Sequence, residues 1–256
     1  MMRDMLALLL VGGLFAQAPD GFEVATIKPT APDWRGGRYL RMESGNRFVG
    51  RNHTVRTLLA FAYNLTPKAV LGGPDWVDSE RWDIEARTPG EKRPNPEQQM
   101  NMLAKLLEER FAVAMHRETR VMSLYTLSVA KSGTRLKETE LALDDDRPLI
   151  NVVYADRVLL PARNATMAQF ASLLQRSVLS RPVVDRTGLM GRFDFELEWT
   201  PDESQFGGQG PASWQLEGIK PSLFAALQEQ LGLRLEAGRG PVEVLVIDKV
   251  ERPSAN

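Results

Sequence analysis

The chain has 256 residues, enough for a packed core, with 43% hydrophobic and 25% charged residues, which is ordinary globular composition. Its formal net charge of −1, without any run of Lys or Arg, argues against a nucleic-acid surface, because phosphate affinity comes from clustered cations. The absence of cysteine excludes disulfides, zinc–thiolate sites and cysteine nucleophiles, and two histidines, His53 and His116, are too few for a His-rich metal centre.

Residues 1–18 read as a signal peptide. Arg3 supplies the positive n-region, residues 6–15 (LALLLVGGLF) the apolar core, and Ala16-Gln17-Ala18 the small-x-small cleavage pattern. The apolar run is well short of the ~20 residues of a spanning helix. No later stretch is more apolar, so the expectation is a periplasmic or secreted protein with no membrane span in the mature chain.

Residues 22–28 alternate in part and read as a strand, closed by Pro29, which removes a ladder donor. Pro32, Gly36 and Gly37 make the next stretch a loop. Residues 38–42 and 46–49 form two short strands around a turn at Glu43-Ser44-Gly45. Thr54 then caps a helix whose inner face is Val55, Leu58, Leu59 and Ala62, spaced i, i+3, i+4 and i+7. Gly72-Gly73-Pro74-Asp75 is a tight loop carrying Trp76, and residues 82–86 alternate as a strand. Asn95 and Pro96 open a second helix with Met102, Leu103, Leu106 and Leu107 inside. Residues 111–115 and 124–129 are read as two strands joined by a polar turn, His116-Arg117-Glu118-Thr119-Arg120.

Past a polar linker, residues 152–154 and 157–160 are strand candidates, and Thr166 caps a helix faced by Met167, Phe170, Leu173 and Leu174. Residues 182–184 make a short strand before the turn Asp185-Arg186-Thr187-Gly188. Phe193, Phe195, Leu197 and Trp199 alternate with acids in the clearest half-buried strand of the chain. Residues 201–218 are Gly-, Ser- and Gln-rich and read as a mobile loop. A helix through Leu223, Leu227 and Leu231 ends at Gly232, and residues 233–236 and 242–250 are two strands joined by a turn at 238–241.

Laid together, residues 51–87 and 163–199 follow one plan. Arg51-Asn52-x-Thr54 matches Arg163-Asn164-x-Thr166, and Trp82-Asp83-Ile84 matches Phe193-Asp194-Phe195. The predicted class is therefore α+β: two duplicated units, residues 19–147 and 148–256, each with helices packed on a small, mostly antiparallel sheet.

Catalytic signatures are absent. There is no H-E-x-x-H, G-x-S-x-G, phosphate loop or dinucleotide glycine motif. Ser128-Val129-Ala130-Lys131 fits S-x-x-K, but that serine belongs at a helix start and Ser128 lies in a predicted strand. Asp144, Asp145 and Asp146 are adjacent, whereas a calcium loop needs spaced oxygens and a glycine turn. The sequons at Asn52 and Asn164 sit at helix starts, where Asn and Thr are capping residues. His53 and His116 read as surface histidines, and no cofactor is implied. Trp76 and Trp82 flank Asp78 and Arg81, Trp34 and Trp214 lie in loops, and Asp185 with Arg186 forms a polar turn. Burial is expected for Trp82. Trp76, Asp78, Arg81, Asp185, Arg186 and Trp214 make up the candidate ligand or partner surface, since exposed tryptophans stack on sugars or anchor proteins.

The segments FEVATIKP (22–29), GPDWVDSERWDIEA (73–86), HRETR (116–120), RPVVDRTGLMGRFDFELEWTPD (181–202), PSLFAALQEQLGLRLE (221–236) and GPVEVLVIDKVERPS (240–254) span the mature chain. Together they resemble a large family of exported proteins of unknown function found mainly in soil bacteria. Some members of that family are fused to membrane sensor-peptidase modules, which implies sensing or binding. The repeat unit also resembles the short N-terminal domains of secretins and TonB-dependent receptors, which are periplasmic interaction modules. Two readings follow: an exported binding or interaction module for an envelope protein or small ligand, and an envelope hydrolase acting on glycan or peptide.

Overall fold

The computed structural model describes residues 21–142, 149, 152–154, 156–208 and 220–253. The signal peptide, the run Asp144, Asp145 and Asp146, and Trp214 lie outside the described residues.

The first half builds β1 (Val24–Pro29), β2 (Tyr39–Met42), β3 (Arg47–Thr54), α1 (Val55–Ala62), β4 (Val70–Gly72), α2 (Trp76–Ser79), β5 (Arg81–Arg87) and α3 (Pro96–Arg110). Then comes β6 (Ala114–Val129), followed by β7 (Lys137–Glu138), β8 (Val152–Val153), β9 (Val158–Ala165), α4 (Met167–Leu173), β10 (Val183–Asp185), β11 (Phe193–Trp199), α5 (Leu223–Ala226) and β12 (Leu233–Lys249). The fold is α+β. Both α4 and α5 run on into single π turns, Leu174–Val178 and Leu227–Leu231.

Helix starts follow their sequence signals. The Thr54 and Thr166 hydroxyls accept from the amides of Thr57 and Gln169, and Asn95 with Gln98 completes a capping box, satisfying otherwise orphaned N–H groups. The expected inner faces are buried, including Val55, Leu58, Leu59, Met102, Leu103, Phe170 and Leu174. Trp82 is buried as expected, with its ring edge-on to Phe111 at 5.4 Å.

Three four-stranded sheets are present, ordered β1-β5-β3-β2, β7-β11-β9-β8 and β10-β6-β12-β4. This corrects the expectation of one sheet per half. The first sheet takes its strands from residues 24–87 and the second from residues 137–199, but the third is assembled from strands spread between residues 70 and 249. In it β6 and β12 pair antiparallel from Leu233↔Val129 to Lys249↔Ala114, and each carries a short parallel partner on its other edge.

That pairing overturns two predicted turns. His116-Arg117-Glu118-Thr119-Arg120 and residues 238–241 are not turns but the middle of a continuous ribbon, where Arg120 faces Val242 and Val121 faces Pro241. Both stretches look like turns because they are polar or rich in Gly and Pro. They are polar because the ribbon crosses between two cores and is wetted on its way, with Val121 65% exposed. One end gives Leu127, Leu233 and Leu235 to the core under α4 and α5. The other gives Ile247, with Met115 packed alongside, to the core under α1 and α3. Residue 111 is also not a strand start: Phe111 caps α3 and is fully buried.

The cores also meet between α1 and α4. The Ser172 hydroxyl donates to Asn64 Oδ1 at 2.5 Å, Gln175 Nε2 donates to the Asn64 carbonyl at 2.6 Å, and the Arg176 guanidinium lies 5.1 Å from the Phe61 ring centre.

A shared detail underlies the two Arg-Asn-x-Thr segments. Asn52 (φ 61°) and Asn164 (φ 55°) both adopt left-handed backbone where β3 and β9 break register with β5 and β11. Each loses a ladder partner for its amide. Asp83 Oδ1 accepts from the Asn52 amide at 3.1 Å, and Asp194 Oδ1 from the Asn164 amide at 2.8 Å. The asparagines serve the bulge, because Asn tolerates positive φ, while the threonines alone cap.

Candidate functional site

A cleft of about 630 Å³ opens beside the start of β5, lined by Pro29, Thr30, Ala31, Pro32, Trp34, Asn52, Ser79, Glu80, Arg81 and Trp82. Its walls follow from local structure. The Thr30 amide donates to the Arg81 carbonyl at 2.9 Å and its hydroxyl to Asp83 Oδ1 at 2.7 Å, which fastens the loop after β1 onto β5. Trp34 folds back on this loop, its Nε1 donating to the Gly37 carbonyl at 3.3 Å. A Cβ on Gly36 would sit 2.2 Å from the Trp34 ring, so only glycine lets the indole lie there. The bulge at Asn52 turns its carbonyl toward Arg81, whose Nη1 donates to it at 3.1 Å.

Charge in the cleft is lopsided. Glu80 is the only lining acid, and Arg252 holds both its oxygens at 2.7–3.0 Å, which lowers the Glu80 pKa. Asp83 is buried behind the wall and is occupied by Thr30, Asn52 and Arg51. Arg81 and neighbouring Arg38 have no carboxylate partner among the described residues. Arg38 is exposed as a residue, yet partial desolvation, together with the charge of Arg81, lowers its guanidinium pKa. On the second-half side, the Arg38 guanidinium comes within 3.8 Å of where a Cβ on Gly207 would stand.

His53 completes this polar group and corrects the surface reading. It is 8% exposed. Burial first, and the charge of Arg38 second, push its imidazole down to about 4, against a hydrogen bond with the Tyr39 backbone that opposes them. Nδ1 lies 3.3 Å from the Thr57 hydroxyl, and Nε2 has no hydrogen-bond partner among the described residues.

Of the six sequence-predicted surface residues, Trp214 lies outside the described residues, and the other five do not converge on one site. Arg81 lines the cleft. Trp76 is half-buried, stacked on Phe111 at 6.4 Å and covered by the Arg252 guanidinium at 4.8 Å. Asp78 receives two hydrogen bonds from Arg56 at 2.5 and 2.8 Å. Arg56 also donates to the carbonyls of Val70 and Gly72, so this group ties α2 and β4 to α1. Asp185 closes its own turn, accepting from the Thr187 amide at 2.9 Å and the Thr187 hydroxyl at 2.7 Å. Asp185 sits on β10 and Arg186 follows it, at the opposite edge of the shared sheet from β4, which precedes α2. His116 is in the ribbon between Asp248 and Glu118, at 2.9 and 3.0 Å, and those carboxylates raise its pKa. Sequence reasoning passed over Trp34 and Arg38 as site residues. The one signal was the glycine pair Gly36-Gly37 after Trp34, which lets an aromatic fold onto its own loop.

No group of three or more His, Asp or Glu side chains poised for a metal ion occurs among the described residues. No helix among the described residues is long and apolar enough to cross a membrane.

Fold and cleft define an α+β protein with an open cleft beside β5 and no assembled catalytic constellation among the described residues. Residues 56–250 match the family model described as "Protein of unknown function (DUF3738)", and the chain belongs to that family. No curated protein and no solved structure matches the chain.

Proposed function

We propose that the protein is an exported binding module, and that the cleft between Trp34, Asn52 and Arg81 is its ligand site. The observation that carries the reading is the cleft itself: a concave site with an aromatic wall and a guanidinium whose charge no carboxylate among the described residues cancels. The hydrolase reading has no comparable support, because the only acid lining the cleft is held by Arg252. The bulges at Asn52 and Asn164, with their matched Asp partners, support reading the chain as a tandem duplication.

Two measurements test this. Fractionation of cells producing the full chain, with N-terminal sequencing of the product, should place it outside the cytoplasm and processed after Ala18. A glycan, peptide and small-acid screen should return ligands whose binding is lost in Trp34→Ala. A product retained in the cytoplasm, or ligands indifferent to Trp34, would contradict the proposal.

A further inference from the structure

We infer that the cleft selects small molecules carrying an oxyanion, a carboxylate or phosphate group, bound by the Arg81 guanidinium, with an attached planar group resting on Trp34. This rests on the cleft being the ligand site.

Three observations carry it. Arg81 lines the cleft with no carboxylate partner among the described residues, and its Nη1 is held at 3.1 Å by the Asn52 carbonyl of the same wall. The one acid lining the cleft and the acid buried behind its wall are already neutralised: Glu80 by Arg252, and Asp83 by Arg51 with two hydrogen bonds besides. The His53 imidazole is buried and stays neutral at ordinary pH, so the cationic groups there are guanidinia alone. A guanidinium fork matches an oxyanion in a paired, charge-assisted hydrogen-bond geometry. Arg81 spends one nitrogen on the Asn52 carbonyl, which aims the fork without consuming it. Trp34, held flat on Gly36, offers a fixed face of the kind that stacks on planar ligands.

The test titrates the full chain by calorimetry and by heteronuclear NMR with four probes: benzoate, phenyl phosphate, inorganic phosphate and neutral benzamide. Benzoate or phenyl phosphate should bind at least ~10-fold more tightly than benzamide, and more weakly as salt is raised. The order of these two separates a carboxylate from a phosphate source, and inorganic phosphate shows how much the planar group adds. Arg81→Gln should weaken the anionic probes by ~10-fold or more, and Arg38→Gln, outside the lining, by less. Arg81→Lys should fall between, since it keeps charge but loses the fork, and exposed Lys68→Gln should change nothing. Unchanged thermal midpoints certify that the variants are folded. Benzamide binding as tightly as benzoate, or anion binding insensitive to Arg81→Gln, would overturn oxyanion selection. In that case, binding that still depends on Trp34 leaves the cleft standing as a ligand site. Failure of every probe, neutral and anionic alike, to perturb Trp34 would remove both.

Discussion

Lowering the pH from 7 to 5 should cost this protein a definite amount of stability through one residue. His53 has an ordinary imidazole pKa of 6.5 in the unfolded chain and one of about 4 when folded, because burial and the charge of Arg38 disfavour its protonated form. Between those values the unfolded chain binds more protons, so stability rises with pH through the window and is complete above 6.5. At pH 7 the two states differ little in protonation. At pH 5 the unfolded imidazole is almost wholly protonated and the folded one mostly neutral, which amounts to a loss of about 2 kcal/mol. The assay is urea unfolding of the wild type and His53→Gln at pH steps from 7.5 to 5, with the transition followed by tryptophan fluorescence. The variant's absolute stability is immaterial; the wild-type curve should fall away more steeply by about 2 kcal/mol over the window. His116 has the opposite sign, its contribution being present at low pH and lost as pH rises through its raised pKa, but it is common to both proteins and cancels. Parallel curves for the two proteins would show that His53 is not buried neutral and would refute the electrostatic account of the cleft wall.

Gly232→Ala should cost roughly 2–4 kcal/mol by chemical unfolding, because the residue sits at φ 64° and a Cβ would stand 2.1 Å from the Gly133 carbonyl oxygen; a loss under 1 kcal/mol would mean that this turn relaxes freely. Arg56→Ala should destabilise by about 2 kcal/mol, since two carbonyls and Asp78 lose their donor, whereas Asp78→Ala, at an exposed carboxylate, should cost less than about 1 kcal/mol. Trp199→Phe should cost roughly 2–4 kcal/mol, because a fully buried side chain shrinks and the Gln205 carbonyl loses the 2.8 Å indole hydrogen bond. Hydrogen exchange should find the paired amides of residues 117–123 and 239–245 protected together. Fast exchange across both stretches would restore the two turns read from the sequence.

Much of the local structure was legible in the sequence. Thr54, Asn95 and Thr166 announced helix starts because a short polar side chain before an apolar stripe has one favourable use there. The alternation from Phe193 to Trp199 defined β11 because side chains on a strand change face at every residue. What the sequence could not supply was the long-range partner. The segments 116–120 and 238–241 carry turn composition, and only their pairing with residues 242–246 and 121–124 respectively, across more than a hundred residues, supplies the hydrogen bonds that keep them extended. The same limit hid the cleft. Trp34, Asn52 and Arg81 come from a loop, a bulge and a strand start, and no local period links them. The sequence by itself determined helix starts, inner faces and the α+β class, since these depend on neighbours a few residues away. The tertiary structure alone decided the third sheet, the burial of His53 and the gathering of Trp34, Asn52 and Arg81 at one cleft, since burial and charge depend on what packs from elsewhere in the chain.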